Sequence, residues 1–187
     1  LPHINCPSAA FADVALDAWY HEAVDYVVKN GLMKGMSATV FAPEDNMTRA
    51  QMVTILYRLA GSPEVSAPAA FADVESGRYY TEAVAWAVEN GITCGVSQNA
   101  FDPTGLVTRE QMVTFLYRYM KLTDADMTTT GDLSAFTDAA DVSGWAVEAF
   151  IWAVENDIIC GTKEGVLAPD NNSTRAQIAA VLMRMAE

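Results

Sequence analysis

The sequence predicts an all-α protein built from three helix–loop–helix repeats. Two observations carry this. Residues 11–61 fall on 71–121 without a gap when the chain is shifted by sixty, and 24 positions are identical. A third copy starts at Phe136-Thr137-Asp138, has one extra residue before Trp145, and ends in Thr174-Arg175-Ala176-Gln177. In addition, each copy holds two stretches whose apolar residues recur at helical spacing. The repeats span 11–60, 71–121 and 136–186. Each alone is too small to bury much core, so the three are expected to pack as one cooperative body over 1–187.

In the first copy, Trp19/Tyr20, Ala23/Val24 and Val27/Val28 recur at helical spacing and Gly31 follows. A helix end favours a residue there that tolerates positive φ. The second copy repeats this with Tyr79/Tyr80, Ala83/Val84, Ala87/Val88 and Gly91. The third has Trp145, Ala149/Phe150 and Ala153/Val154, but Asp157 replaces the glycine, which predicts a less comfortable terminus. A long loop follows in each copy, holding Gly35, Phe41 and Pro43 in the first. Loops of this length are functional or pinned by their own side chains, and Phe41, Phe101 and Leu167 are the expected pins.

The second helix of each copy opens on a capping box, Thr48-Arg49-Ala50-Gln51, Thr108-Arg109-Glu110-Gln111 or Thr174-Arg175-Ala176-Gln177. The Thr oxygen accepts an N–H of the first turn and Gln reaches back to the cap, worth about 1 kcal/mol. Met52, Val53, Leu56 and Leu59 form the expected buried stripe, matched by Met112, Val113, Leu116 and by Ile178, Val181, Leu182. Linkers 61–70 and 122–134 separate the repeats.

Composition excludes several classes. The 187 residues are 51% hydrophobic and 19% charged, a globular balance. A net charge of −13 with only 11 Lys and Arg argues against a nucleic-acid partner. No run of 18 apolar residues exists, so no membrane insertion is expected. The chain opens at Leu1 without a charged-then-apolar leader, which points to a processed protein or an excised segment.

Cys6, Cys94 and Cys160 allow at most one disulfide within the chain. They read as small side chains, or as a disulfide involving Cys6. The cysteines form no CxxC pair, and no metal site is expected. The histidines are His3 and His21; no Ser/His/Asp set, phosphate loop or cofactor motif is present. An enzyme is not expected, and neither is a cofactor.

The capping box leaves one residue unexplained. Arg49, Arg109 and Arg175 each sit at the first helical position, where the macrodipole is positive and N–H groups are unpaired. A cation there is unfavourable by roughly 0.3–1 kcal/mol when exposed. Three copies imply an anion at each. It is either an internal carboxylate, such as Asp13, Asp73, Asp138 or Asp45, or a ligand group held by the guanidinium fork and the free helix N–H groups. Gly35, Gly95 and Gly161 stand thirteen residues before each capping Thr. They serve turn geometry or let a ligand approach the backbone. Trp19, Tyr79 and Trp145 open the first helices as core, staple or sugar platform; Trp86 and Trp152 read as core.

Phe-x-Asp-Val, Trp-Tyr-x-x-Ala-Val, Gly-(Leu/Ile)-x-x-Gly, Phe-x-Pro and Thr-Arg-Ala-Gln, in that order, resemble the S-layer homology (SLH) repeat of Gram-positive surface proteins. The resemblance covers 11–60, 71–121 and 136–186. It implies a pseudo-threefold body with a central three-helix bundle of second helices. It also implies a secreted, non-catalytic anchor at the cell wall or S-layer, carrying a cargo domain of a larger surface protein. The implied ligand is secondary cell-wall polysaccharide, through a pyruvylated N-acetylmannosamine-type unit in grooves between repeats. By the same resemblance the site residues are Arg49, Arg109 and Arg175, joined by Asp13, Asp73, Asp138, Trp19, Tyr79, Trp145, Gly35, Gly95 and Gly161. Gln51, Gln111 and Gln177 replace the usual Glu of the motif. Glu110 sets an acid beside Arg109, and Lys34 is matched by Cys94 and Cys160. The expectation is therefore unequal grooves, the strongest one using Arg49 and Lys34. The alternative is a surface module that binds protein or peptidoglycan.

Overall fold

A computed structural model describes residues 6–187. His3 lies outside the described residues. The chain is all-α, as expected: α1 (His21–Lys29), α2 (Arg49–Leu59), α3 (Thr81–Glu89), α4 (Arg109–Met120), α5 (Val147–Glu155) and α6 (Arg175–Arg184). Two 3-10 turns, Ala139–Asp141 and Gly144–Ala146, precede α5. Among the described residues there are no strands, only isolated bridges.

Two compact units are present. One joins the chain up to Met47 with Ser173–Glu187; the other is Thr48–Asn172. In the first, α1 packs on α6; in the second, α2 packs on α3 and α4 on α5, and α2 touches α4. The partner of each second helix is thus the first helix of the next repeat, returning from the third to the first. The contact faces are the apolar stripes. Ala23, Val24 and Val27 of α1 are buried, as are Ile178, Val181 and Leu182 of α6. In the larger unit Met52, Val53, Leu56, Met112, Val113 and Leu116 are fully buried. Leu59, expected in the stripe, is only half-buried because it lies in the last turn of α2. Burying each such side chain is worth about 1.5–3 kcal/mol.

The helix ends follow the sequence. Gly31 and Gly91 take φ of +68° and +69°, and Asp157 is forced to +55° at the equivalent place. All three second helices carry a complete capping box. Phe41, Phe101 and Leu167 are fully buried, so the expected pins hold their loops. Trp86 and Trp152 are buried too, against Tyr57 and Tyr117. The linkers are tied down rather than free: Glu89 accepts from the N–H groups of Ser66 and Ala67, and Glu155 from that of Thr130.

Candidate functional site

The loop before each second helix is built around the aspartate of Phe-x-Asp. Asp73 accepts from the N–H groups of Phe101 (2.9 Å) and Asp102 (2.8 Å). Asp13 does the same for Phe41 and Ala42, and Asp138 for Leu167 and Ala168. The second residue of each pair has positive φ without being glycine: Ala42 at +59°, Asp102 at +59°, Ala168 at +51°. Such a backbone is strained and persists only where surroundings fix it. Two charge-assisted bonds from one carboxylate supply that fixing. Burial pushes the Asp73 and Asp138 carboxyls up, but these N–H bonds, aided by Arg49 and Arg109, pull both net below the usual carboxylate range. The aspartates are therefore loop clamps with both oxygens engaged.

The clamped loop presents a carbonyl to an arginine of the preceding helix in the cycle. Arg49 Nε donates to Phe101 O at 2.9 Å, Arg109 Nε to Leu167 O at 2.7 Å, and Arg175 Nε to Phe41 O at 2.9 Å. The Arg49 and Arg175 guanidinium carbons also sit 4.8 Å and 4.7 Å from the Phe101 and Phe41 ring centres. All three arginines are buried, 4–5% exposed. Burial pushes each guanidinium pKa down, and surrounding negative groups, Asp102 and Asp73 for Arg49, oppose it. Yet none of the three forms an ion pair among the described residues.

The internal partner is thus a backbone carbonyl, not the carboxylate weighed from sequence. The same loops also correct the idea that free helix N–H groups grip a ligand. In α2, Arg49 N donates to Gly105 O (2.8 Å) and Ala50 N to Pro103 O (3.1 Å), while the capping box takes the N–H groups of Thr48 and Gln51. Arg109, Glu110, Arg175 and Ala176 repeat the arrangement with Asn171, Pro169, Asp45 and Pro43. All four orphan donors of each helix start are satisfied. An anion at these helix starts would be met by side chains, the guanidinium first, and not by the backbone.

Helix exchange also redistributes the loop residues. Arg175 Nη2 donates to the Lys34 carbonyl at 2.7 Å, so Lys34 belongs to Arg175. Arg49 has Cys94 beside it instead, and Arg109 has Cys160. The expected pairing of Arg49 with Lys34 is therefore incorrect: a second helix meets the loop of the following repeat, not of its own. Arg109 Nη2 is buried with no hydrogen-bond partner among the described residues.

Within the larger unit the Arg49 region is a groove of about 470 Å³, in the range of small-ligand sites. Cys94, Gly95, Gln111, Phe115, Arg118 and Trp145 line it with Arg49. Three repeats contribute. Gly95 has φ +86°, and a Cβ there would meet Ala100 O and the Phe71 ring at 2.6 Å. Gly161 has φ +90° and a Cβ would meet Val166 O at 2.6 Å; at Gly35 it would strike the Phe11 ring. The glycines satisfy turn and packing needs, and Gly95 faces the groove besides.

Trp19, Tyr79 and Trp145 are 63%, 62% and 53% exposed. This overturns the core reading. The α-helices start at His21, Thr81 and Val147, so the three aromatics stand on the preceding turn, outside the apolar stripe. Trp19 and Tyr79 rest edge-on against Tyr20 and Tyr80. Trp145 is held by the departure at Glu110. That carboxylate accepts from the Ser143 N–H and hydroxyl, both at 3.0 Å, two residues before the tryptophan. Glu110 therefore faces Ser143 and braces the turn that carries Trp145. Arg118 escaped the sequence reading, although Arg58, Arg118 and Arg184 recur nine residues after each motif arginine. It supplies a second cation to the Arg49 groove, tied to Ile92 O at 3.0 Å.

Residues 10–53, 70–113 and 135–179 each match the S-layer homology domain. The chain is 33% identical to the surface-layer 125 kDa protein of Lysinibacillus sphaericus over 92% of its own length and 14% of the relative's. It is 30% identical to an amylopullulanase of Thermoanaerobacterium thermosulfurigenes, over 91% of this chain and 9% of that one. It is 27% identical to a cellulosome-anchoring protein of Acetivibrio thermocellus, over 83% of this chain and 35% of the other. The chain thus spans a minor part of each relative, and the enzymatic name belongs to a protein about ten times as long. With three matches, three capping boxes and three clamped loops, the chain belongs to the S-layer homology domain family, a cell-surface anchoring module present here in three copies.

Proposed function

We propose that this chain is a non-catalytic anchor that holds a larger surface protein to the cell wall by binding secondary cell-wall polysaccharide through anionic, pyruvylated sugars. One observation carries the reading: among the described residues three buried guanidinium groups form no ion pair, and one of them, Arg49, lines a groove together with an exposed tryptophan. A sugar ketal carboxylate would meet Arg49 while the ring lies against Trp145. Arg118 would add charge, and Gln111 is a hydrogen-bonding side chain in the same groove. Arg109 and Arg175 are proposed as the motif arginines of the other two sites. There Trp19, Tyr79, Gly35, Gly161 and Lys34 carry over from the family resemblance. Asp13, Asp73 and Asp138 act on the ligand only through the loops they clamp. The cargo is proposed to lie in the rest of a longer chain, at the extracellular wall or S-layer. Several modest contacts per molecule give avidity.

The test is calorimetry with a pyruvylated N-acetylmannosamine glycan and its pyruvate-free counterpart. Binding of the first and a loss of at least tenfold with the second supports the reading. Equal binding sinks it. Wall pull-down that survives removal of polysaccharide by mild acid would point instead to protein or peptidoglycan.

A further inference from the structure

Three potential ligand side chains meet away from the groove, in the smaller unit. Cys6 Sγ lies 3.5 Å from His21 Nε2, and His21 Nε2 lies 3.3 Å from Asp25 Oδ2. His21 opens α1 and Asp25 follows one turn later, so both project from one face of the helix. Their side chains are 10% and 22% exposed. All three ligand atoms fall within 4.8 Å of one another.

The surrounding hydrogen bonds decide what these atoms can do. His21 Nδ1 is 3.1 Å from the Ala15 carbonyl, which can only accept, so Nδ1 carries the proton. In the neutral ring Nε2 is then a lone pair. It faces a carboxylate oxygen, which also only accepts. Two acceptors at this distance need a proton or a cation near them: a second ring proton, the Cys6 thiol hydrogen, or a metal ion in its place. A charge-assisted N–H···O bond would be about 2.7–2.9 Å long, and the observed separation is greater. Zinc bonds of about 2.3 Å to sulfur and about 2.0–2.2 Å to nitrogen and oxygen set tetrahedral edges of about 3.5–3.6 Å between sulfur and nitrogen and about 3.3–3.6 Å between nitrogen and oxygen. The separations of 3.5 Å and 3.3 Å fit those edges.

The outer contacts fit as well. A metal-binding imidazole donates its other N–H to a carbonyl or carboxylate, which fixes tautomer and ring orientation. The Ala15 carbonyl does this here. Asp25 Oδ1 accepts from the Ser8 N–H at 2.9 Å, leaving Oδ2 toward His21. The hydroxyl of Ser8 is buried with no hydrogen-bond partner among the described residues.

We propose that Cys6, His21 and Asp25 form a binding site for a divalent cation of the zinc class, tying the segment before α1 to that helix. Thiolate, imidazole and carboxylate together select borderline-soft ions over calcium or magnesium. Three protein ligands leave one position for water. The Cys6 thiol releases its proton to solvent on binding.

The test uses the whole chain with Zn²⁺ or Co²⁺. One equivalent of Zn²⁺ should slow alkylation of Cys6 at least tenfold by peptide mapping, with exposed Cys94 and Cys160 unchanged as internal controls. Co²⁺ should give a thiolate charge-transfer band that Cys6→Ser removes and Asp25→Asn weakens. The unsubstituted protein alone is decisive, so a variant that misfolds does not blunt the test. Equal alkylation of Cys6 with and without Zn²⁺, or a cobalt spectrum free of thiolate character, overturns the proposal.

Discussion

Arg109 and Arg175 occupy the same motif position, and their side chains end differently. Each donates Nε to the carbonyl of a clamped loop. The Nη2 of Arg175 then finds the Lys34 carbonyl, whereas that of Arg109 is buried with no hydrogen-bond partner among the described residues. A buried donor left unpaired carries a desolvation penalty of about 1–3 kcal/mol, more when charged. A ligand oxygen removes that penalty at Arg109 and must compete with Lys34 O at Arg175. Identical motifs thus give unequal sites, because each arginine is completed by a loop from another repeat.

The largest effect should separate the arginines themselves. Arg49→Ala and Arg109→Ala are expected to weaken titrated pyruvylated glycan by tenfold to a hundredfold, and Arg175→Ala by less than threefold. A charged hydrogen bond of about 1.5–3 kcal/mol sets this scale. Equal losses at all three would break the comparison. Arg49→Lys should fall near Arg49→Ala, since an ammonium lacks both the Nε donor and the fork.

Next in size is the clamp. Asp73→Ala removes two N–H acceptors and releases the left-handed backbone at Asp102, which should lower unfolding free energy by about 2–3 kcal/mol in urea. Its pH dependence has a definite sign. The folded pKa is depressed, so this stabilisation is complete above the ordinary carboxylate value of about 3.9 and is lost as pH falls through the lower folded value. Asp73→Asn should flatten the fall in stability below about pH 4. A variant as acid-sensitive as the parent removes Asp73 from the account.

Smaller still is the brace. Glu110→Ala restores the residue found at Ala50 and Ala176, frees Ser143, and is expected to lower stability by about 1 kcal/mol. Glycan affinity at the Arg49 groove should fall twofold to threefold, and about fivefold in Trp145→Ala, where the ring itself is lost. If Glu110→Ala leaves affinity intact while Trp145→Ala does not, the brace is structural only. The smallest effect belongs to Lys34→Ala. The bond to Arg175 uses the Lys34 backbone carbonyl, so stability should change by under about 0.5 kcal/mol.

Much of the site was legible in the chain. The period identified Arg49, Arg109 and Arg175, and the capping boxes formed as read. Offset counting would have added Arg118. Four features were not legible. The aromatics at 19, 79 and 145 fit the helical period, yet the helices begin two residues later. The aspartates looked available to a ligand or an arginine, but backbone amides absorb them. Lys34 was assigned by sequence proximity to the wrong arginine. Cys6 and His21 are separated by fifteen residues, which conceals their contact.

The sequence by itself determined the three copies, the six helices, their caps and the buried stripes, because these depend on residues within one or two turns of each other. The tertiary structure alone decided which loop completes which arginine, which donor is left without an acceptor, and which polar groups meet across α1. The first two outcomes depend on each second helix docking on the next repeat, and the third on the chain before α1 folding back onto it; neither kind of contact leaves a periodicity in the sequence.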